Sequence, residues 1–219
     1  MRKMRFLFAK EGQASYLSHL DVMRTFSRSF NRAGIPLRHT EGFNPHPYLS
    51  IAHPLSVGFT GNQEVLDCIT LLEDATDMSS QLNNFLPSGL RVVCEADSER
   101  DIKDIVYAHY TLTLFYDITT PPEALARLSS FFSGSDIPVM KKSKKGMVQI
   151  NLADSIAQTG FEQFEEGILL SVLIKANPAP LSPKYLIESI SDEELKPDFV
   201  RYHRNGFLDV DKMPFVLID

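Results

Sequence analysis

Arg24, Arg28 and Arg32 recur at every fourth residue, with His19 just ahead of them and Arg38 just behind. Residues four apart share one face of a helix, so the three guanidiniums form a basic stripe opposite Met23, Phe26 and Phe30. Guanidiniums are planar, forked donors, and a row of them suits successive phosphates of a nucleic acid. The plainer alternative is a solvated face on which Asp21 pairs with Arg24 or Arg28, worth roughly a few tenths of a kcal/mol. His19 falls on the apolar side near the helix start. A packed, hydrogen-bonded role comes first for it, and general acid or base chemistry second.

The segment Glu41-Gly42-Phe43-Asn44-Pro45-His46-Pro47-Tyr48 is the most unusual in the chain. Prolines on both sides of His46 restrict the backbone, and Gly42 permits a sharp turn. Phe43 and Tyr48 offer stacking surfaces, while Asn44 and His46 offer hydrogen bonds to base edges. Rigid display of this kind suits single-stranded RNA, docking on a partner protein, or simply a proline-stiffened crossover packed on a sheet. His39, His46 and His53 have no acidic or cysteine ligand at a metal-binding spacing, so no metal site is expected. Two weaker basic features follow, the turn Lys141-Lys142-Ser143-Lys144-Lys145-Gly146 and the run Arg201-Tyr202-His203-Arg204-Asn205-Gly206.

Several activities are set aside by what is missing. There is no phosphate-binding G-x-x-x-x-G-K-[ST], no G-x-G-x-x-G, no G-x-S-x-G and no H-E-x-x-H. Cys68 and Cys94 are too few for an iron–sulfur cluster and fall in strand-like runs, where they read as core thiols. No cofactor is expected. No apolar run reaches the ~18 residues that span a bilayer, and the basic start is followed at once by Lys10 and Glu11 without a leader pattern. A cytoplasmic location is therefore expected, with no membrane partner and no DNA partner. The net charge of -6 argues against whole-surface nucleic-acid binding, but it is unevenly spread. Residues 1–60 hold eight basic and three acidic residues (+5), and the remainder holds 14 and 25 (-11).

The elements that would position these groups read as a repeated pattern. Met4–Ala9 is strand-like, and Ser18 with Asp21 forms a capping-box start to the arginine helix, which Gly34 and Pro36 stop. An extended, proline-punctuated stretch runs from Phe43 to Phe59. Strand Glu64–Leu72, helix Ser79–Leu86 and strand Leu90–Ala96 follow. The second half predicts strand Ile105–Tyr116, a helix opened by Pro121 and Pro122, a hairpin around the lysine turn, strand Ile168–Ala176, a helix from Ser182 to Ile190, and strand Phe199–Leu208. The polar segment 151–166 is left open between an ordered element and one that orders only on binding. The expected class is α+β, two tandem ferredoxin-like βαββαβ units with antiparallel sheets, spanning 1–100 and 101–219.

The run SHLDVMRTFSRSFNRAGIPL, then TEGFNPHPYLSIAHPLSVGFTGNQEVLD, resembles the radical-SAM-linked proteins of unknown function. The likeness covers residues 5 to about 70, through H-L-D, the arginine-bearing helix, G-F-N-P-H-P and the later P-L-x-x-G. It implies a small protein encoded beside, or fused to, a cobalamin-binding radical SAM protein, which would be its partner. Because the chain has no cluster cysteines, the resemblance implies an accessory subunit and not the radical enzyme. A fainter likeness, at the level of fold, is to the tandem ferredoxin-like RNA-binding proteins of CRISPR systems. Those carry a glycine-rich loop near the C-terminus, where this chain offers only Asn205-Gly206.

The leading expectation is a non-catalytic module that binds RNA or docks on the radical SAM partner through its basic N-terminal face. Arg24, Arg28, Arg32 and Arg38 would position phosphates, Phe43 and Tyr48 would stack, and Asn44 and His46 would make specific contacts. The alternatives are a metal-independent endoribonuclease using His19 or His46 as general acid or base, and a purely protein-binding adaptor.

Overall fold

The computed structural model describes residues 1–73, 77–117, 123–143 and 146–216. The chain divides into two compact units, Met1–Asp104 together with the residues from Pro214 on, and Ile105–Met213. Both are mixed α+β, with antiparallel strands and four α-helices among the described residues.

The first unit runs β1 (Arg2–Lys10), α1 (His19–Arg32), β2 (Leu49–Ile51), β3 (Thr60–Thr70), α2 (Met78–Asn83) and β4 (Leu90–Asp97). Its sheet has β1 between β4 and β3, with the short β2 added on β3, all antiparallel. Alternate side chains of a strand share a face. Thus Met4, Phe6 and Phe8 of β1 join Leu66 and Cys68 of β3 and Val92 of β4 beneath the helices. Helix α1 buries Val22, Phe26 and Phe30 there. Phe8 meets Phe26 edge-on at 4.9 Å between centroids, and Phe6 meets Phe30 at 5.6 Å. Edge-on aromatic pairs of this kind add about 0.5–1.5 kcal/mol beyond area burial.

Both ends of α1 are where the sequence places them. The Ser18 hydroxyl oxygen accepts from the Asp21 backbone N–H at 3.3 Å. At the other end Gly34 takes φ +70, its N–H donates to Asn31 O at 3.2 Å, and the Ile35 N–H donates to Phe30 O at 3.0 Å. That pair of bonds satisfies the last carbonyls and seats Ile35 in the core.

The second unit runs β5 (Tyr107–Phe115), α3 (Ala124–Phe132), β6 (Pro138–Ser143), β7 (Gly146–Asn151), β8 (Ile156–Phe164), β9 (Gly167–Lys175), α4 (Lys184–Glu188) and β10 (Phe199–Leu208). Its sheet order is β10-β5-β9-β8, antiparallel throughout, and β6 and β7 form a separate hairpin. Ala108, Tyr110, Leu112 and Leu114 of β5 are buried at every second position, with Leu170, Val172 and Ile174 of β9 beside them. Leu128 and Phe132 of α3 and Leu186 of α4 are buried as well.

The segment 151–166 is ordered, with a 3-10 turn at Leu152–Ser155 and then β8. Strand β8 pairs along its length with β9, and Phe161 stacks on Phe132 at 6.0 Å. The prolines expected to open α3, Pro121 and Pro122, lie outside the described residues, as do Lys144 and Lys145 of the basic turn. The helix expected from Ser79 to Leu86 stops at Asn83. No helix among the described residues is long and apolar enough to cross a membrane.

Candidate nucleic-acid interface

The burial of Val22, Phe26, Ser29 and Phe30 fixes the rotation of α1 and turns Arg24, Arg28 and Arg32 outward, all three exposed. Arg24 lies 3.6 Å from the Asp21 carboxylate. No ion pair among the described residues involves Arg28 or Arg32. Asp21 also accepts the Ser18 hydroxyl at 2.6 Å, and that bond holds its carboxyl below the ordinary value. It is thus a fixed negative charge beside Arg24 alone, and the basic stripe is most open at its C-terminal two residues.

The G-F-N-P-H-P segment is a closed loop built on β3. The Arg38 N–H donates to Ile69 O at 2.8 Å, the Tyr48 N–H donates to Arg38 O at 2.8 Å, and the Ile69 N–H donates to Tyr48 O at 3.2 Å. Further out, the Thr40 N–H donates to His46 O at 2.9 Å and the His46 N–H donates to the Thr40 hydroxyl at 3.1 Å. The His46 Nδ1 sits 3.1 Å from the same hydroxyl and 3.3 Å from Asn44 O, which holds the ring in place. Gly42 supplies φ +130 at the tip, and Phe43 beside it is fully exposed at 106%. Arg38 lies over the Tyr48 ring at 5.2 Å and 3.9 Å from Glu41, so one face of that ring is already covered.

His46 and Tyr48 line a cavity of about 550 Å³ together with Lys3, Ser50, Asp67, Ser98 and Arg100. Its volume falls in the range of small-ligand pockets. Cys68 also reaches this cavity, but burial pushes its thiol up to about 12, so it is no nucleophile at neutral pH. On one wall the guanidinium of Arg5 makes paired bonds of 2.7 Å to Asp67 and donates to Arg100 O at 2.8 Å. Arg5 and Arg100 both lie over the ring of Phe215, at 4.7 and 4.9 Å.

The sequence candidates therefore fall into separate groups. Arg38, His46 and Tyr48 come together, with Asn44 contributing its carbonyl and Phe43 standing alone at the tip. Arg24, Arg28 and Arg32 form their own surface and do not line the cavity. His19 is exposed instead of packed, and it edges a small recess with Phe8, Val22 and the buried Lys10 and Glu64. Lys10 donates to Ser15 O at 3.0 Å. His19 and His46 line different cavities, and no nucleophile-positioning dyad links them. No group of three or more His, Cys, Asp or Glu among the described residues is placed to hold a metal ion. Lys3, Ser98 and Arg100 were not singled out by the sequence, because chain segments about 95 residues apart build that wall.

These features define an α+β protein with an exposed arginine face and a separate polar cavity in its first unit. The chain belongs to the family described as an uncharacterized protein conserved in bacteria (DUF2344), whose pattern it matches over residues 3–183. No curated protein matches it. Among solved structures, that of a Cbf5-Nop10-Gar1 complex is similar with a TM-score of 0.53 at 8% identity, over 93% of this chain and 48% of that one. At that identity the likeness concerns the fold, and this chain spans about half the length of the one it matches. An unknown protein from Galdieria sulphuraria aligns over 93% of this chain and 98% of its own, at 10% identity and a TM-score of 0.26.

Proposed function

We propose that this chain is a non-catalytic RNA-binding accessory module that serves a cobalamin-binding radical SAM protein. The observation that carries the reading is the exposed row Arg24, Arg28 and Arg32 on α1, with its last two guanidiniums in no ion pair among the described residues. Arg38, Phe43, Asn44, His46 and Tyr48 extend the contact to bases through a loop stiffened by its own hydrogen bonds. The radical SAM partner rests on the resemblance of residues 5 to about 70. We further propose that the units are tandem ferredoxin-like folds. Each runs β-α-β-β-α-β with its strands ordered fourth, first, third, second, and the second unit adds the β6–β7 hairpin. A cytoplasmic location goes with this role.

The test is a salt titration of the purified chain against single-stranded and structured RNA pools. Affinity that falls steeply with salt is expected, since phosphate contacts release counterions. No RNA affinity at low salt, with copurification of a radical SAM protein, would replace this reading with that of a protein-binding adaptor. An RNA product formed by the wild type and lost in His46→Ala with binding intact would replace it with an endoribonuclease.

A further inference from the structure

The sheet of the second unit has a face turned away from α3 and α4 that carries an unusual row of side chains. In β5 the even-numbered residues are buried under the helices, so Phe115, Thr113, Thr111 and His109 project to the other side. Directly opposed residues on neighbouring strands share a face. Register therefore places Phe199 beside Phe115 on one flank, and Phe164 opposite Gly167 on the other. The contacts agree with this placement. Phe115 lies 5.8 Å from Phe199 and 6.1 Å from Phe164, and the Arg201 guanidinium sits 5.3 Å above the Phe115 ring.

These rings do not close a core. Phe199 is 59% exposed, Arg201 is exposed, and Phe115 and Phe164 are half-buried. Gly167, opposite Phe115, lets the strands approach closely, because a Cβ there would collide with the Leu114 carbonyl, and Phe115 and Phe164 meet across it. Further along the strands the same face adds polar groups between Leu169 and Leu173, the latter buried opposite His109. The Asn205 amide donates to the Thr111 hydroxyl at 2.9 Å, and the His109 Nε2 lies 2.9 Å from the Ser171 hydroxyl. Glu162 is the one acidic residue among the register positions of this face, against Arg201 and Lys175. That balance stands out in a part of the chain rich in acid.

Stacking rings at one end, a guanidinium over them and amide and hydroxyl groups beyond are the groups that single-stranded RNA uses. Bases stack on aromatic and guanidinium planes and present their edges to short polar side chains. A four-stranded sheet that stacks two or three bases is an established mode of such recognition. The face measures roughly 14 Å across four strands and about 20 Å along them. We infer that the exposed sheet face of the second unit is a stacking platform for single-stranded RNA, with Phe199, Phe115 and Arg201 as its stacking groups. The inference shares the RNA ligand of the proposed function but none of its residues.

The test uses the full chain and a labelled single-stranded RNA of about 12 nucleotides carrying 5-iodouridine, within the site sizes of single-strand binders. Phe199→Ala removes an exposed ring and is expected to weaken binding about 5- to 150-fold, as loss of one stacked base does. Phe199→Tyr keeps the ring and is expected to restore binding, with the thermal midpoint of both variants close to wild type. Ultraviolet crosslinks are expected on peptides containing Phe115 or Phe199. Wild-type affinity in both Phe199→Ala and Arg201→Ala, with crosslinks confined to residues 24–48, overturns the platform and leaves the arginine face standing. Loss in Phe199→Ala with Arg28→Ala/Arg32→Ala unaffected supports the platform and overturns the arginine face. No binding of single-stranded RNA by the intact chain overturns both.

Discussion

Replacing Arg28 and Arg32 together by alanine is the most direct perturbation of the arginine face. Both side chains are exposed on the side of α1 away from Val22, Phe26 and Phe30, so the helix keeps its packing, and alanine is the better helix former. Stability should therefore hold. On a single strand each neutralised phosphate contributes about -0.7 to the slope of log affinity against log salt. Losing two contacts flattens the slope by about 1.4. Between about 50 and 200 mM salt, the wild type should then lose roughly sevenfold more affinity than the variant. Arg24→Ala should flatten the slope less, because Asp21 already pairs with Arg24 in the free protein and gives up that pairing on binding. The assay is fluorescence anisotropy of a labelled single-stranded RNA across a salt series. Equal slopes for wild type and double variant would refute the assignment of phosphate contacts to this helix.

Other outcomes follow from packing and burial. Arg5→Ala strands the partly buried Asp67 and should cost about 3–5 kcal/mol in denaturant unfolding, the scale for breaking a buried pair; a loss under about 1 kcal/mol would mean that water takes over the guanidinium's place. Phe26→Ala should cost about 3–5 kcal/mol, because Phe26 is fully buried against Phe8. Burial raises Cys68 from 9.0, and Tyr116 and Tyr202 from 10.0, each to about 12. Their folded forms resist ionisation, so this part of stability is intact below about pH 9 and is lost as pH climbs toward 12. Thermal midpoints that stay flat over that window would contradict the burial of these groups. Ser18→Ala should cost about 1 kcal/mol through the lost cap, read as a lower thermal midpoint.

How much of this was legible depended on whether a signal was local. Helix α1 was readable from end to end, because Ser18, the apolar spacing and Gly34 are all local devices, and the structure uses each of them. Strand β8 was not. Its residues Gln158, Thr159, Glu162 and Gln163 look like a solvated loop, and only the long pairing with β9 makes them a strand. For His19 the helical wheel gave the wrong environment. It lies in the first turn, at the edge of a small recess, and the side chain reaches solvent. The cavity beside His46 was invisible for a different reason. Lys3, Ser98 and Arg100 come from the first strand and from the segment after β4, and no spacing rule joins them. Likewise Arg201 and Phe199 read as a basic run with an aromatic neighbour until register set them on one face with Phe115.

The ring of Phe215, which the guanidiniums of Arg5 and Arg100 both approach, also bears on the order of events during synthesis. Arg5 is made before its aromatic cover, which follows only after the whole of residues 105–213. At about 5–20 residues per second, that interval is on the order of 5–20 s. Through it the nascent first unit carries an Arg5 guanidinium without the Phe215 ring over it. A chain stopped before residue 215 would hold the β1 strand with one of its planar stacking partners missing.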